Sequence, residues 1–371
     1  MSRREIKNTI KRVVTTNSQL ESLARDAYRE YKMLHHSIAS VVPSIINYKN
    51  HKIMIAITAQ CNARCTGCRY GRDFMPGHSL SKEAIFGVLD DAAAANFEVI
   101  RFYGGEPLLH ADLPEMVEYC ASLSMQPYVT TNAAILDKKI DDLYAAGLRD
   151  VTIGFYGFGD DYDRYTDRPG LFKKVENSIA TVREKYGDDF GIQINWLLMK
   201  PTCSVEEVRK LKAFAETYKL RVQIELIHYS LPYFQEGPEG ELQFTPEDLP
   251  AIQEVVTELI RLKREKHVMI NQDIPALRAI PDSLMKGPDM KVPCTAYDMI
   301  WIGADGTVQL CYVTFKLGNI HQTSFADMLT SDARRSAARD AFKLNCPNCH
   351  CSINERVMRH APSRRLYSAS A

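Results

Sequence analysis

The chain has 371 residues, 45% of them apolar and 25% charged, with 46 basic side chains against 46 acidic ones. That length carries two or three domains with a sizeable core, and the even charge balance argues against a broad nucleic-acid-binding surface. No window approaches the roughly 18 consecutive apolar residues of a membrane span, and the opening MSRREIKNTIKRVV lacks the apolar stretch of a secretory signal, so the expectation is a cytoplasmic, enzyme-sized protein that meets neither nucleic acid nor membrane.

In chain order, residues 1–50 read as a helical segment, with apolar residues at mostly helical spacing from Ile6 to Leu34 until Pro43 interrupts. This segment either covers the main domain or serves as a homodimer element; the sequence does not choose. A repeating rhythm then fills 51–230. Strands are predicted at 53–59, 98–103, 127–131, 150–155, 192–198 and 222–227, with helices between them at 81–95, 113–123, 136–146, 172–186 and 205–218. The strands read as continuous apolar runs, as in a parallel sheet covered by helices. The fold class is therefore α/β, a partial (β/α)6 TIM-like barrel with its active site at the C-terminal strand ends. Residues 231–293 form a linker with one long helix from Thr245 to about His267, followed by irregular chain. A small domain at 294–352 contains a β-hairpin, strand–turn–strand over 300–311. Residues 353–371 read as a basic, frayed tail.

Ten cysteines are the unusual feature, and eight of them fall in two clusters. Without an export signal, metal ligation explains them better than a disulfide scaffold. Cys61, Cys65 and Cys68 stand in C-x3-C-x2-C spacing directly after the first strand. Three thiolates on one loop hold three corners of an iron–sulfur cube and leave the fourth iron open to a substrate or cofactor; a structural zinc site is the plainer alternative. Directly after the second strand comes Tyr103-Gly104-Gly105-Glu106-Pro107. Its two glycines let a ligand approach the backbone, and Glu106 sets an anion where a ligand ammonium would be held.

Together the two motifs resemble the signature of the radical S-adenosylmethionine (SAM) enzymes over roughly residues 50–230. The resemblance implies that Cys61, Cys65 and Cys68 ligate a [4Fe–4S] cluster and that Gly104, Gly105 and Glu106 bind SAM. It further implies reductive cleavage of SAM to a 5′-deoxyadenosyl radical that abstracts a substrate hydrogen atom, with electrons from a reductant such as flavodoxin or ferredoxin. Gly67 departs from the family, whose members often carry an aromatic residue there; Tyr70 is the candidate for that role. Thr131, Asn132 and Asn195 are polar groups expected at the same strand ends.

The second cluster is Cys294, Cys311, Cys346, Cys349 and Cys351. The hairpin gathers the first two and the C-x2-C turn completes four ligands, a spacing that admits zinc or iron–sulfur. It is similar to the C-terminal auxiliary-cluster (SPASM or twitch) domain of radical SAM enzymes. That implies one auxiliary cluster, of the [4Fe–4S] type, on Cys294, Cys311, Cys346 and Cys349. Cys351 is then an alternate ligand, a passive thiol or a hydrogen-atom donor, and Glu225 at the end of the sixth strand a candidate base or hydroxyl ligand. The substrate expected is a small polar natural-product intermediate (sugar, aminocyclitol or nucleoside) undergoing oxidation or epimerisation. The alternative is a peptide or protein side chain, and a remote one a zinc-stabilised binding protein.

Overall fold

Capped helices alternating with short strands build the architecture that the sequence rhythm predicts. In the computed structural model, which describes residues 18–46, 48–229, 234–235, 240–311 and 314–369, six strands lie side by side in chain order. They are β1 (Lys52–Thr58), β2 (Val99–Gly104), β3 (Gln126–Thr131), β4 (Asp150–Phe155), β5 (Gly191–Leu198) and β6 (Arg221–Leu226), all parallel. The connecting helices start on serine caps where the sequence offers them: Ser81 accepts from the Ala84 N–H at 3.3 Å and Ser204 from the Glu207 N–H at 3.1 Å. Trp196 and Trp301 are fully buried, as is Cys120.

The strands are not uniformly apolar. Along β5 and β6 buried residues alternate with half-buried ones. The outward residues pack under helices, while Gln193, Asn195, Gln223 and Glu225 line a cavity inside the barrel. A barrel filled by apolar layers would show continuous burial; an open, polar interior requires alternation.

The hairpin forms as expected but is not an independent sheet. Strand β8 (Met299–Ile302) pairs in parallel with β1, and β9 (Thr307–Leu310) and β10 (Phe315–Asn319) follow in antiparallel fashion. With β7 (Met269–Ile270) on the far edge, one ten-stranded sheet runs β10-β9-β8-β1-β2-β3-β4-β5-β6-β7. The second cysteine region is thus hydrogen-bonded to the strand that carries the first.

Two further expectations need correction. The irregular stretch after His267 contains the helices Ile274–Arg278 and Ile280–Lys286. The supposed frayed tail is helical over Ile353–Arg359 and Ala361–Ala369, and it is docked: Val357 is fully buried, and the Tyr367 hydroxyl donates to Asp282 at 2.6 Å. Apolar residues among many arginines concealed this packing. The N-terminal helix runs Ser18–Val41 and stops before Pro43; its predicted portion before Ser18 lies outside the described residues. No helix among the described residues is long and apolar enough to cross a membrane.

Candidate active site

The first cysteine loop leaves β1 and is fastened on two sides. Toward β2, the Gly105 N–H donates to the Thr58 carbonyl at 2.8 Å and the Glu106 N–H to the Gln60 carbonyl at 2.7 Å. Toward the helix Gly159–Thr166, the N–H groups of Arg64 and Thr66 donate to the carbonyls of Thr166 and Tyr165, and Arg168 donates to the Asn62 carbonyl at 2.6 Å. The Arg72 guanidinium reaches the carbonyls of Cys65 and Cys68. The Gly104–Gly105 pair is explained by this close approach: a Cβ at Gly104 would run into the Thr58 carbonyl, and one at Gly105 into the Gln60 carbonyl.

Cys61, Cys65 and Cys68 line one cleft of about 640 Å3, together with Gly104, Gly105 and Asn132. Burial pushes the Cys61 thiol up to about 11 and the Cys65 thiol higher; Glu106 and Cys68 raise the first further, and Cys68 and Cys61 the second. Thiols so placed keep their protons until a metal replaces them. Among the described residues no three Cys, His, Asp or Glu side chains gather tightly enough for a single metal ion. A cube spreads its thiolates over separate irons, and three cysteines around one cleft fit that demand.

Glu106 is fully buried, close enough to Cys61 for its charge to act on that thiol. One carboxylate oxygen accepts from the Thr131 hydroxyl at 2.6 Å and the Leu108 N–H at 3.0 Å, and the other from the Asn132 N–H at 2.7 Å. Burial outweighs these bonds and raises its carboxyl to about 7. In this arrangement the carboxylate braces the wall of the cleft. It fixes Thr131 and Asn132, and Asn132 in turn donates to the Asn62 side chain at 2.7 Å. Tyr70 lines the cleft but is buried, its hydroxyl bonded to the Ala304 N–H at 3.3 Å and to the Met75 sulfur. Phe234 instead covers Gly67, where a Cβ would come within 2.7 Å of its ring. Asn195 is not at the cleft; it accepts from Gln193 at 2.9 Å inside the barrel.

That cavity measures about 460 Å3 and runs from the N-terminal mouth of the barrel, at Lys52, Gln126, Asp150 and Arg221, up to Thr130, Asn195 and Glu225, with Arg101 along its wall. Thr130 lines the cysteine cleft as well, so the two spaces adjoin there. Arg101 donates to the Thr130 hydroxyl at 2.8 Å and lies over the Tyr103 ring at 4.8 Å. Burial raises the Glu225 carboxyl to about 7 against the opposing pull of Arg101. Sequence reasoning missed Arg101, since a lone arginine within a strand carries no signature.

All five cysteines of the second cluster line a single small cavity. Asn348 donates to the carbonyls of Pro288 at 2.9 Å and Met290 at 3.1 Å, while its oxygen accepts from the Cys349 N–H. Arg356, 2% exposed, donates to the carbonyls of Val292 at 2.6 Å and Cys349 at 2.6 Å and to Asn348 at 2.9 Å. This buried cation offsets the charge of neighbouring thiolates, and it comes from the segment read as tail. Cys351 sits against Cys349, with Glu225 and Cys311 as its next acidic neighbours. His350 bridges two elements, its ring nitrogens 2.9 Å from the carbonyls of Ile227 and Ser283.

Comparison with known proteins agrees with this geometry. The model of the Radical SAM superfamily matches residues 55–215, and that of the SPASM iron–sulfur cluster-binding domain matches 294–352. The chain is an enzyme of the radical SAM superfamily. More narrowly, it is one that carries a SPASM domain, and these two domains imply a [4Fe–4S] cluster with SAM and auxiliary iron–sulfur clusters. Similar proteins include an AdoMet-dependent heme synthase of Methanosarcina barkeri, 22% identical over 77% of this chain and 80% of the relative. A GTP 3′,8-cyclase of Marinobacter nauticus is 25% identical over 83% and 92%. In fold the chain resembles anSMEcpe with bound AdoMet (TM-score 0.62, 18% identity, 79% and 81% covered). It also resembles Streptococcus suis SuiB bound to precursor peptide SuiA (TM-score 0.60, 14% identity, 87% and 72% covered).

Proposed function

We propose that this radical SAM enzyme oxidises or epimerises a small polar molecule of the sugar, aminocyclitol or nucleoside type inside the barrel. One observation carries the reading: the polar cavity of about 460 Å3 that adjoins the cysteine cleft at Thr130. Its upper end, at Arg101, Thr130, Asn195 and Glu225, offers charged and amide groups that suit a compact ligand rich in hydroxyl or amino groups. Two relatives are named for heme and GTP chemistry, whereas SuiB takes a precursor peptide. A peptide or protein side chain is therefore the alternative substrate, which the interior cavity does not favour.

Cys61, Cys65 and Cys68 would hold the first cluster, with Gly104, Gly105, Thr131, Asn132 and Tyr70 walling the space for SAM and Glu106 positioning that wall. Cys294, Cys311, Cys346 and Cys349 would hold one auxiliary cluster. When bound, these groups supply a 5′-deoxyadenosyl radical that takes a substrate hydrogen atom, and a one-electron acceptor. The side chains do the rest. Arg101, steadied by Thr130, holds a substrate oxygen, and Asn195 orients a second polar group. Glu225 accepts the hydroxyl proton that must leave when a carbinol carbon becomes a carbonyl. An epimerisation would instead need a hydrogen atom returned to carbon; Cys351, which lines the auxiliary cavity and feels the charge of Glu225, is the thiol proposed for it.

The test is anaerobic reconstitution with iron and sulfide, followed by dithionite, SAM and panels of amino sugars, aminocyclitols, nucleosides and peptides. Formation of 5′-deoxyadenosine above the substrate-free rate with a small-molecule panel is expected. A product lighter by two hydrogens means oxidation; a product of unchanged mass in H2O that is one mass unit heavier in D2O means epimerisation. Stimulation by peptides alone overturns the small-molecule reading.

A further inference from the structure

The hairpin of the auxiliary domain does more than extend the barrel sheet. Side chains alternate along β8: Ile300 and Ile302 enter the main core, while Trp301 turns the other way, into a small separate cluster with Tyr70, Met75 and Tyr103. Cys68 of the first cysteine loop packs against that cluster. The Trp301 indole N–H donates to the Tyr103 hydroxyl, and the Ala304 N–H donates to the Tyr70 hydroxyl at 3.3 Å. Gly303 lets this end of the hairpin come close, because a Cβ there would meet the Met75 methyl at 2.6 Å and the Trp301 ring at 2.8 Å. Tyr70 and Tyr103 both line the cysteine cleft. Two side chains of that wall are therefore held from the auxiliary domain.

Packing alone does not account for the indole bond. Trp196 is equally buried, and its indole N–H has no partner among the described residues. The core tolerates an unbonded indole there, whereas Trp301 aims its N–H at a phenol of the cleft. We propose, on the reading that this cleft takes SAM, that Trp301 is a positioning residue for SAM, fixing Tyr103 while Ala304 fixes Tyr70. Tyr103 leads directly into Gly104 and Gly105, and the Gly105 N–H donates to the Thr58 carbonyl at 2.8 Å. A phenol fixed at its far end steadies the backbone that carries this close approach. Tyr103 is 8% exposed, so water does not readily replace the indole as a donor. Arg101, lying over the same ring at 4.8 Å, shares in any movement of it. The auxiliary domain thus shapes the first site without lending it a ligand.

The experiment is equilibrium dialysis of SAM against the full, anaerobically reconstituted chain without reductant, so that no SAM is cleaved. Trp301→Phe keeps a ring in the cluster and removes the donor; Tyr103→Phe removes the acceptor from the barrel side. Each should raise the SAM dissociation constant about 3- to 10-fold. The double variant should be no weaker than either single one, because both remove the same bond. Trp196→Phe, at an indole without a partner, should leave SAM affinity unchanged, and iron and sulfide content should persist in all four proteins. Unchanged affinity in both single variants overturns the proposal, as do losses that simply add in the double variant or an equal loss in Trp196→Phe. Cys65→Ala separates this outcome from failure of the cleft reading. SAM bound as tightly without the first cluster overturns that reading, whereas cluster-dependent affinity indifferent to Trp301 and Tyr103 overturns only their role.

Discussion

The two cysteine sites are built by opposite strategies. The first places three thiols within eight consecutive residues, on a loop whose anchors are backbone hydrogen bonds to the ends of two neighbouring elements. The second collects thiols from Cys294 to Cys351 and depends on groups outside that run: the carbonyls of Pro288 and Met290, and Arg356. A local loop keeps its ligands together even when the surrounding fold loosens. A cavity assembled from distant segments lasts only while those segments stay docked, so the two sites should fail differently.

The sharpest break is expected from paired alanines. Cys65→Ala should remove the first cluster and reduce 5′-deoxyadenosine formation by at least about 100-fold. Cys311→Ala should lose only auxiliary iron while substrate-free cleavage of SAM continues, as read by iron and sulfide content and chromatography. If both variants lose all iron, the sites are not separable and the contrast fails.

Next in size is Arg356→Ala. It strips a buried cation from three partners, and about 2–3 kcal/mol of stability should go with it, measured by denaturant unfolding. Auxiliary iron should fall while the absorbance of the first cluster survives. Arg356→Lys should rescue it only in part, because an ammonium cannot reproduce the fork that spans Val292, Cys349 and Asn348.

Glu106→Gln sharpens the comparison on the barrel side. The amide turns one donor toward N–H or O–H groups that now meet an acceptor, costing about 1–3 kcal/mol. SAM affinity, followed by equilibrium dialysis, should weaken as Asn132 loosens, while auxiliary iron stays constant.

The smallest effect is the dependence on pH. Glu225 is held at about 7, above its usual 4.5, by burial. As a base it is competent only when ionised, so substrate turnover should rise as pH passes through about 7, and Glu225→Gln should abolish that step. Its contribution to stability has the opposite sign: full below pH 4.5 and lost as pH climbs through about 7. Thermal unfolding of the two proteins across that window checks the direction.

Periodicity exposed the barrel because each β–α step is a local unit with its own cap and its own apolar face. It could not tell a filled interior from an open one, so the strands read as continuous apolar runs although Gln193, Asn195 and Glu225 line a polar cavity. Glu106 shows a different limit. Its position in the motif was plain, but whether the carboxylate faces ligand or protein depends on where the β3 loop comes to rest. The C-terminal helices were hidden because arginines that read as solvated include one that is buried.

The order of residues alone determined the cysteine loop, the glycine pair and the β–α rhythm, since each depends on neighbours a few positions apart. Only the tertiary structure decided that the hairpin extends the barrel sheet, that five cysteines share one cavity, and that Arg101 and Glu225 face the same interior. Those outcomes rest on contacts between segments tens to hundreds of residues apart. The free energy of such contacts comes from burial and hydrogen-bond satisfaction at the place where the segments meet, which no short stretch of sequence records.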